Sequence, residues 1–235
     1  MFTRSARFYD AIYSFKDYAR ESRVLEDIIS AEVPRARTLL DVACGTGLHL
    51  QHLGARFEVT GVDIDPELLQ IAAQRNPGIA LEQADMTDFD LGRRFDVVTC
   101  LFSSIGYVRT PDRLRMAAAA LAGHVAPGGI LMVEPWIFPE QFESGRADTL
   151  LVDFDGGKIV RATFSERRQD ESVLDLHYLV RDPAGRVTHL SEQHVLGLFS
   201  DEQYRAALEG SGLGDVSFDP EGLMGRGLYI SRRPH

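Results

Sequence analysis

The sequence predicts an α/β fold: a doubly wound, Rossmann-like sheet of seven strands with an antiparallel β-meander inserted into it. Between residues 38 and 136, short β-rich runs alternate with segments whose apolar residues recur at helical spacing, the pattern of βαβ units. Residues 149–199 contain no helical pattern and instead hold longer strand-like runs separated by turn sequences such as "DGG" and "DPAG". The α/β pattern then resumes from residue 200.

The core strands are short and almost uniformly apolar, which indicates burial on both faces of a parallel sheet. Pro66 and Pro111 stand where the first turn of a helix tolerates proline. Ser200 resembles an N-cap, and Gly212 a C-terminal stop. The predicted core strands are TLLDVAC (38–44), FEVTGVDI (57–64), IALEQAD (79–85), RFDVVTCLF (94–102) and GILMVEPW (129–136), followed by GDVSFDP and RGLYISRR near the end.

These patterns divide the chain into three parts. Residues 1–37 are helical and rich in aromatic side chains, residues 38–136 and 200–235 form the α/β core, and residues 137–199 form the inserted antiparallel sheet. Because the edges of an antiparallel sheet need to be covered, we expect the inserted sheet to form a homodimer interface.

Composition narrows the function. The chain has 235 residues, 44% of them hydrophobic, and a formal net charge of −10, which argues against nucleic-acid binding through a basic surface. Cys44 and Cys100 end apolar runs and resemble small buried residues of a reducing compartment. The histidines show no metal-ligand spacing, and the apolar run 116–122 is too short to cross a bilayer. We therefore expect a cytoplasmic protein without a metal and without membrane contact.

The stretch "LLDVACGTGLHL" (39–50) contains the first candidate for ligand binding. Gly45 and Gly47 follow a predicted buried strand and open a helix, so backbone N–H groups can approach a ligand closely. A dinucleotide-binding turn would carry a third glycine, which is absent here. The pair of glycines alone is a weak signal.

Acidic residues at the ends of the next two predicted strands strengthen the case for a ligand site. Asp63 closes the second strand, at the spacing where a carboxylate accepts hydrogen bonds from both ribose hydroxyls. Asp85 closes the third strand with Met86 beside it, a pair that suits the amino group and the ring of an adenine. Each acid alone would be a cap or a turn former. Together, at one edge of a parallel sheet, they predict an adenosine site.

This series of motifs resembles the class I S-adenosylmethionine-dependent methyltransferases. "LLDVACGTG" is similar to their first motif, "GVDID" to the second, "ADMTDF" to the third and "RFDVVTCLFSSIGYV" to the fourth. The resemblance implies S-adenosyl-L-methionine as cofactor and S-adenosyl-L-homocysteine as its product, with Asp63 on the ribose, Ile64 and Met86 around the adenine, and Asp85 on its amino group. Further cofactor contacts implied are Tyr18, Ala43, Gly45, Gly47 and Leu101, with Asp41 a further candidate beside the methionine portion.

A narrower resemblance concerns the methyl acceptor. "CLFSSIGYV", "VEPWIFPE" and "MGRGLYI", together with the inserted sheet, resemble the bacterial N-methyltransferases that dimethylate dTDP-linked deoxy-amino sugars in antibiotic biosynthesis. In that family residues 1–37 would form a lid, and the inserted sheet would help to bind the sugar. The resemblance implies acceptor contacts from Tyr9, Ser104, Tyr107, Trp136 and Arg226, with Tyr107 and Tyr9 nearest the chemistry.

The chemistry demands mainly alignment, because methyl transfer from a sulfonium to an amine is an in-line displacement. Tyr107 could orient the amine or remove its proton. Tyr13 is expected to pack onto the core, while packing and functional roles are equally natural for Trp136. Glu134 either receives hydrogen bonds from helix N-termini or lies in the pocket.

Three rivals stay open. One is a methyltransferase of another small amine or of a hydroxyl group. A second is a nicotinamide-dependent oxidoreductase, disfavoured by the missing glycine and by the lack of a Tyr-x-x-x-Lys pair in a chain with lysine only at 16 and 158. The third is a non-catalytic protein that binds the same cofactor.

Overall fold

Strands and helices alternate through the first half of the chain, as the sequence predicts. The computed structural model describes residues 5–235. Within these residues the strands are β1 (Thr38–Val42), β2 (Glu58–Asp63), β3 (Ala80–Gln83), β4 (Phe95–Cys100), β5 (Val125–Val133), β6 (Ala147–Phe154), β7 (Gly157–Arg168), β8 (Glu171–Arg181), β9 (Val187–Gly197), β10 (Gly214–Asp219) and β11 (Leu228–Arg232). The α-helices are α1 (Tyr9–Ile12), α2 (Tyr18–Glu32), α3 (Leu48–Leu53), α4 (Pro66–Arg75), α5 (Pro111–Gly123) and α6 (Asp201–Gly210).

The main sheet has seven strands in the order β10-β11-β5-β4-β1-β2-β3. Strands β1 to β5 are parallel, and β11 pairs antiparallel with both of its neighbours. The strand order reverses between β1 and β4, and open sheets of this kind bind ligands outside the carboxyl ends of the strands at such a point. The predicted fold class is confirmed.

Side-chain caps start the helices where the sequence predicts. Asp65 accepts hydrogen bonds from backbone N–H groups of the first turn of α4, and Ser200 forms a reciprocal capping box with Gln203 at the start of α6. Among the strand boundaries that differ from the prediction, those of the strand predicted at residues 129–136 differ most. β5 begins at Val125 and ends at Val133, so Trp136 follows the strand instead of ending it. Pro135, which has no N–H for a strand ladder, explains the early end.

Helices cover both faces of the main sheet. On one face, Leu25 and Ile29 of α2 pack with Leu50 and Leu53 of α3 against β1 and β4. The other face packs against α5 and α6. No helix within residues 5–235 has both the length and the apolar character that crossing a membrane requires.

The inserted segment forms a second sheet, a meander with the strand order β6-β7-β8-β9. Its inner face buries Ile159 and Tyr178 against Phe8 and Ile12 of the N-terminal segment. Its outer face leaves large apolar side chains in solvent, among them Leu151 at 62% exposure. The N-terminal segment thus lies against the inner face of the inserted sheet, close to the carboxyl edge of the main sheet.

Candidate active site

A first cavity lies at the carboxyl ends of β1 to β4 and encloses about 680 Å³ of empty space, part of it open to solvent. Each of these four strands contributes residues from the loop that follows it, because parallel strands end at the same edge. The lining consists of Tyr9, Val42, Ala43, Gly45, Asp63, Ile64, Leu68, Ala84, Asp85, Met86, Ser104, Tyr107, Val108 and Arg113.

The glycine turn forms the floor of this cavity in a left-handed backbone conformation. The φ angles are 61° at Ala43, 57° at Gly45 and 74° at Gly47. Glycine adopts such angles without strain, whereas alanine does so at a cost. The turn therefore presents bare backbone to the cavity at Gly45, as the sequence predicts.

Asp63 holds this turn in place. Its carboxylate accepts hydrogen bonds from the backbone N–H of Gly45 at 2.8 Å and of Asp65 at 2.9 Å. Burial raises the pKa of the Asp63 carboxyl, and these hydrogen bonds oppose the rise. A carboxylate has about four acceptor positions, so the lone pairs that remain can accept from the two hydroxyls of a ribose.

The far end of the cavity suits an adenine. Ile64 is 41% exposed although it is apolar, and it lines the cavity together with Met86, so a flat ring between them would cover both side chains. Asp85 accepts hydrogen bonds from Thr87 and, at 2.9 Å, from Arg113. Burial raises the pKa of Asp85, but the bonds from Thr87 and Arg113 outweigh it and hold the pKa below its usual range. The residues present therefore fit an adenosine.

Some predicted cofactor residues do not line the cavity. Gly47 is the N-cap residue of α3 and packs against α4, and Leu101 is buried in the core. Tyr18 starts α2 and lies against the ring of His49, with 4.9 Å between the ring centroids. Asp41 accepts a hydrogen bond from Thr99 beneath the turn. The cofactor contacts assigned to these residues stay predictions.

A second cavity of about 760 Å³ lies between the N-terminal segment, the inserted sheet and the loop after β4. It shares Tyr9, Ser104 and Tyr107 with the first cavity, so the two spaces meet at these side chains. The rest of its lining is Tyr13, Phe15, Phe102, Trp136, Arg161, Thr163, Leu174, Leu176, His194, Leu196 and Arg226.

The predicted acceptor residues therefore all line the second cavity. Arg226 donates to Ser103 Oγ at 3.1 Å, and its guanidinium lies 5.3 Å from the ring centroid of Trp136. Trp136 in turn donates from Nε1 to Ser172 Oγ at 2.8 Å, which fixes the orientation of its ring. Tyr13 packs against a core cluster, as expected, and it also lines this cavity.

The charge in the second cavity is positive. Arg226 and Arg161 lie in its wall, and among the described residues no Asp or Glu lines it. Nε of Arg161 and Oγ1 of Thr163 are buried and have no hydrogen-bond partner within residues 5–235. The wall of this cavity therefore offers positive charge and hydrogen-bond donors, although the chain as a whole has a formal net charge of −10.

Tyr107 stands at the junction of the two cavities. Its hydroxyl lies 2.5 Å from Nδ1 of His194, and Nε2 of His194 lies 3.6 Å from Oε2 of Glu192. Burial raises the pKa of the Tyr107 phenol well above its ordinary value, so the side chain is neutral.

Polar contacts tie the N-terminal segment to the glycine turn. Asp10 accepts from Thr46 Oγ1 at 2.7 Å, and Arg75 donates both to Asp10 and to the carbonyl oxygen of Thr46. These contacts hold α1 in position, and the Tyr9 hydroxyl lies 3.9 Å from where a Cβ on Gly45 would stand. Tyr9 thereby covers part of the first cavity.

Glu134 is fully buried beside the second cavity but does not line it. It accepts a hydrogen bond from the backbone N–H of Phe102 at 2.7 Å. Phe102 and Ser103 have φ angles of 51° and 59°, so Glu134 braces a left-handed loop. Burial raises its pKa, and the nearby Lys16 opposes the rise.

Sequence reasoning missed several lining residues. Arg113 lies in the first turn of α5, which follows β4, and its position after a core strand was a usable signal. Arg161, Thr163 and His194 lie on strands of the inserted sheet, where only the alternation of faces could have assigned them to one side. Nothing in the sequence fixed which side faces the cavity.

Comparisons with known proteins agree with this geometry. A family model described as a methyltransferase domain matches residues 39–129, so the fold and the first cavity define a methyltransferase. The dTDP-3-amino-3,6-dideoxy-alpha-D-glucopyranose N,N-dimethyltransferase of Streptomyces fradiae is 43% identical over 227 residues, which cover 95% of this chain and 89% of the relative. The chain belongs to the family of dTDP-amino-sugar N,N-dimethyltransferases.

Solved structures are similar over nearly the whole chain. DesVI of Streptomyces venezuelae has a TM-score of 0.90 at 38% identity, with 97% of this chain and 98% of that chain covered. CalS10 of Micromonospora echinaspora, a SAM-bound amino pentose methyltransferase of calicheamicin biosynthesis, has a TM-score of 0.88 at 38% identity, with 96% of each chain covered. The predicted family and enzyme class are confirmed, and the oxidoreductase and non-catalytic alternatives are not needed.

Proposed function

We propose that this chain transfers methyl groups from S-adenosyl-L-methionine to the amino group of a dTDP-linked deoxy-amino sugar. The observation that carries the proposal is the pair of adjoining cavities, which share Tyr9, Ser104 and Tyr107. One cavity fits an adenosine, and the other is lined by arginines without a carboxylate among the described residues.

The cofactor side rests on residues that the sequence singled out. Asp63 would hold the ribose, Ile64 and Met86 would cover the adenine, and Gly45 would leave room for the amino-acid portion. Bound S-adenosyl-L-methionine supplies an electrophilic methyl group on a sulfonium sulfur. The chain itself supplies position, because Asp63 fixes the turn that forms the floor.

The acceptor side would divide into two ends. A nucleotide-linked sugar carries a diphosphate, and planar guanidinium groups bind phosphate oxygens in a bidentate manner. Arg226 and Arg161 would therefore take the diphosphate end, and the amine would lie near Tyr107 and Tyr9 at the junction. In this arrangement the N-terminal segment acts as a lid and the inserted sheet as the wall that binds the acceptor.

Tyr9 and Tyr107 would orient the amine as neutral phenols. Burial raises the pKa of both hydroxyl groups well above the ordinary value, so neither is a phenolate at neutral pH. Each can accept a hydrogen bond from an amine N–H and so direct the nitrogen lone pair toward the cofactor. Alignment and exclusion of water then supply most of the rate.

A test compares acceptors with and without the diphosphate. Purified enzyme and S-adenosyl-L-methionine are incubated with dTDP-3-amino-3,6-dideoxyglucose, with the same amino sugar lacking the nucleotide, and with simple amines and alcohols. Mass spectrometry then counts the methyl groups on each product. We expect methylation of the nucleotide-linked sugar alone. Methylation of simple amines or of hydroxyl groups with no reaction of the nucleotide sugar would reject the proposal in favour of the alternative acceptors.

Variants can test the diphosphate end of the acceptor site separately from cofactor binding. Arg226→Ala should raise KM for the nucleotide-linked sugar by about 10-fold or more, the scale of a lost charge-assisted hydrogen bond. The affinity for S-adenosylhomocysteine should not change, because Arg226 lines only the second cavity. Arg23→Ala, at an exposed position of α2, is the matched control. An unchanged KM in Arg226→Ala would contradict the assignment of the diphosphate end.

We further propose a homodimer through the outer face of the inserted sheet. Phe164 is 51% exposed and Leu179 48% exposed on this face, on adjacent strands. An apolar face of this kind on an antiparallel sheet suits a second copy of itself. Phe164→Glu should shift the molecular mass in light scattering from dimer to monomer, whereas Glu166→Gln, a milder change on the same face, should not. A monomeric wild-type chain would refute the proposal.

A further inference from the structure

Tyr107, His194 and Glu192 form a buried row of side chains that begins at the junction of the cavities. Aligning the amine with the cofactor would need only the first of them. The Tyr107 hydroxyl and His194 Nδ1 are 2.5 Å apart, and His194 Nε2 and Glu192 Oε2 are 3.6 Å apart. The side chains of His194 and Glu192 are only 3% and 4% exposed. The row thus leads from the place where the amine would lie into the interior of the inserted sheet.

We propose that His194 takes up the proton that the acceptor amine must lose, and that Tyr107 relays it. This inference rests on the proposed function, because it needs an amine at Tyr107. The amine N–H bond breaks as its proton passes to the Tyr107 oxygen, and the original Tyr107 proton passes to Nδ1 of His194. The phenol is neutral before and after, and the imidazole becomes an imidazolium that later releases its proton to water.

The direction of the relay follows from the neighbours of His194. Nε2 of His194 lies 3.6 Å from the Glu192 carboxylate, and this negative charge favours the tautomer with the proton on Nε2, the nitrogen nearest to it. Nδ1 is then an acceptor for the Tyr107 hydroxyl. Because burial disfavours the phenolate form of Tyr107, its hydroxyl conducts the proton and does not store it.

Glu192 is the carboxylate that lies beside His194. Glu192 lies on the same strand and also accepts from the backbone N–H and the hydroxyl of Ser5, at 2.9 and 2.7 Å. Its carboxylate offsets the positive charge that His194 gains. The other titratable groups around this cluster come from several elements: Tyr9 and Tyr13 from the N-terminal segment, Asp63 from the end of β2, Tyr178 from β8, Arg161 from β7 and Arg226 from the loop before β11.

The chemistry gives the relay a purpose. An amine attacks through its lone pair, so an ammonium must first lose a proton. Each methyl transfer also leaves a positively charged nitrogen, and a second transfer on the same nitrogen needs that proton to leave. In a cavity that excludes water, an internal acceptor can take up the one proton lost in each methyl transfer. His194 then passes this proton to water when the site opens to exchange the cofactor product for a new cofactor.

The test uses His194→Asn, because the asparagine side-chain oxygen can stand near the position of Nδ1 and accept from Tyr107 but cannot be protonated. We expect kcat/KM near pH 7 to fall by about 10-fold or more, at the lower end of general acid–base effects. Near pH 9.5 the free amine is mostly neutral, and the variant should approach wild type within about twofold. His52→Asn, on α3 and away from both cavities, is the control.

A second readout does not depend on turnover. In a complex with S-adenosylhomocysteine and dTDP-3-amino-3,6-dideoxyglucose, nitrogen NMR of labelled histidine should show His194 turning into an imidazolium when the amine binds. Tyr107→Phe should abolish that change. A neutral His194 in the complex, or a defect of His194→Asn that is the same at every pH, would overturn the relay while leaving the proposed function intact. Absence of methylation by the wild-type enzyme would overturn both.

Discussion

Replacing Asp63 with alanine is expected to weaken cofactor binding and to destabilise the fold. Asp63 is 6% exposed, and its carboxylate accepts from two buried backbone N–H groups, those of Gly45 and Asp65. Alanine leaves both donors without an acceptor. A buried donor that loses its partner costs about 1–3 kcal/mol, so the free energy of unfolding should fall by about 2–6 kcal/mol.

The loss of binding can be estimated separately. Hydrogen bonds from a ribose to a charged carboxylate are worth about 1.5–3 kcal/mol, so the dissociation constant for S-adenosylhomocysteine should rise about 10- to 150-fold. Isothermal titration calorimetry measures the affinity, circular dichroism establishes that the variant is folded, and chemical denaturation gives the stability.

Glu82→Ala is the matched control, since it removes a nearby negative charge from the exposed side of β3, one strand away. It should change neither affinity nor stability by more than about 0.5 kcal/mol. A folded Asp63→Ala protein that binds S-adenosylhomocysteine as tightly as wild type would refute the placement of the ribose at Asp63.

Three further predictions concern the same edge of the sheet. Burial raises the pKa of Asp41 from 3.8 to about 6, so the folded chain holds the extra proton and stability should fall by about 3 kcal/mol as pH rises from about 4 to 6. Asp41→Asn should flatten this loss in denaturant titrations across that range, and an unchanged slope would contradict it. Gly47→Ala would place a Cβ 2.5 Å from Asn76 at a φ of +74°, and should lower the unfolding free energy by about 1–3 kcal/mol; an unaltered melting temperature would argue against this packing. Arg75→Ala removes one of the two contacts that hold Asp10 and so loosens the Tyr9 cover, while the hydrogen bond from Thr46 remains. Calorimetry should therefore find S-adenosylhomocysteine bound about two- to fivefold more weakly, the scale of a partly exposed ion pair. An equal effect of Arg23→Ala would contradict the link.

Much of the fold could be predicted because local signals and the global fold agree. Alternating strand and helix patterns gave the main sheet, and caps such as Ser200 gave helix starts within a residue. The end of β5 was misplaced because apolar residues resume at Trp136 after Glu134, whereas Pro135 cannot join the ladder. At this point the missing N–H group of one proline determines where the strand ends, and the apolar composition around it does not.

The two cavities differ in how far the sequence reveals them. The first is built from the ends of consecutive parallel strands, so short motifs around Gly45, Asp63 and Asp85 suffice to predict its lining. The second combines α1, the inserted sheet and the loop around Arg226, which meet only through long-range packing. Sequence spacing therefore contains no information on the contact of His194 with Tyr107, which are 87 positions apart.

The two hydrogen bonds from Ser5 to the Glu192 carboxylate also have a consequence for folding. Their partners are separated by 187 positions, so Ser5 cannot make this contact before β9, the last strand of the inserted sheet, has formed. The βαβ units can form earlier, since their contacts are short in sequence. Refolding should accordingly recover the nucleoside pocket before the amine pocket, and stopped-flow fluorescence of Trp136, which borders only the latter, would report the later event.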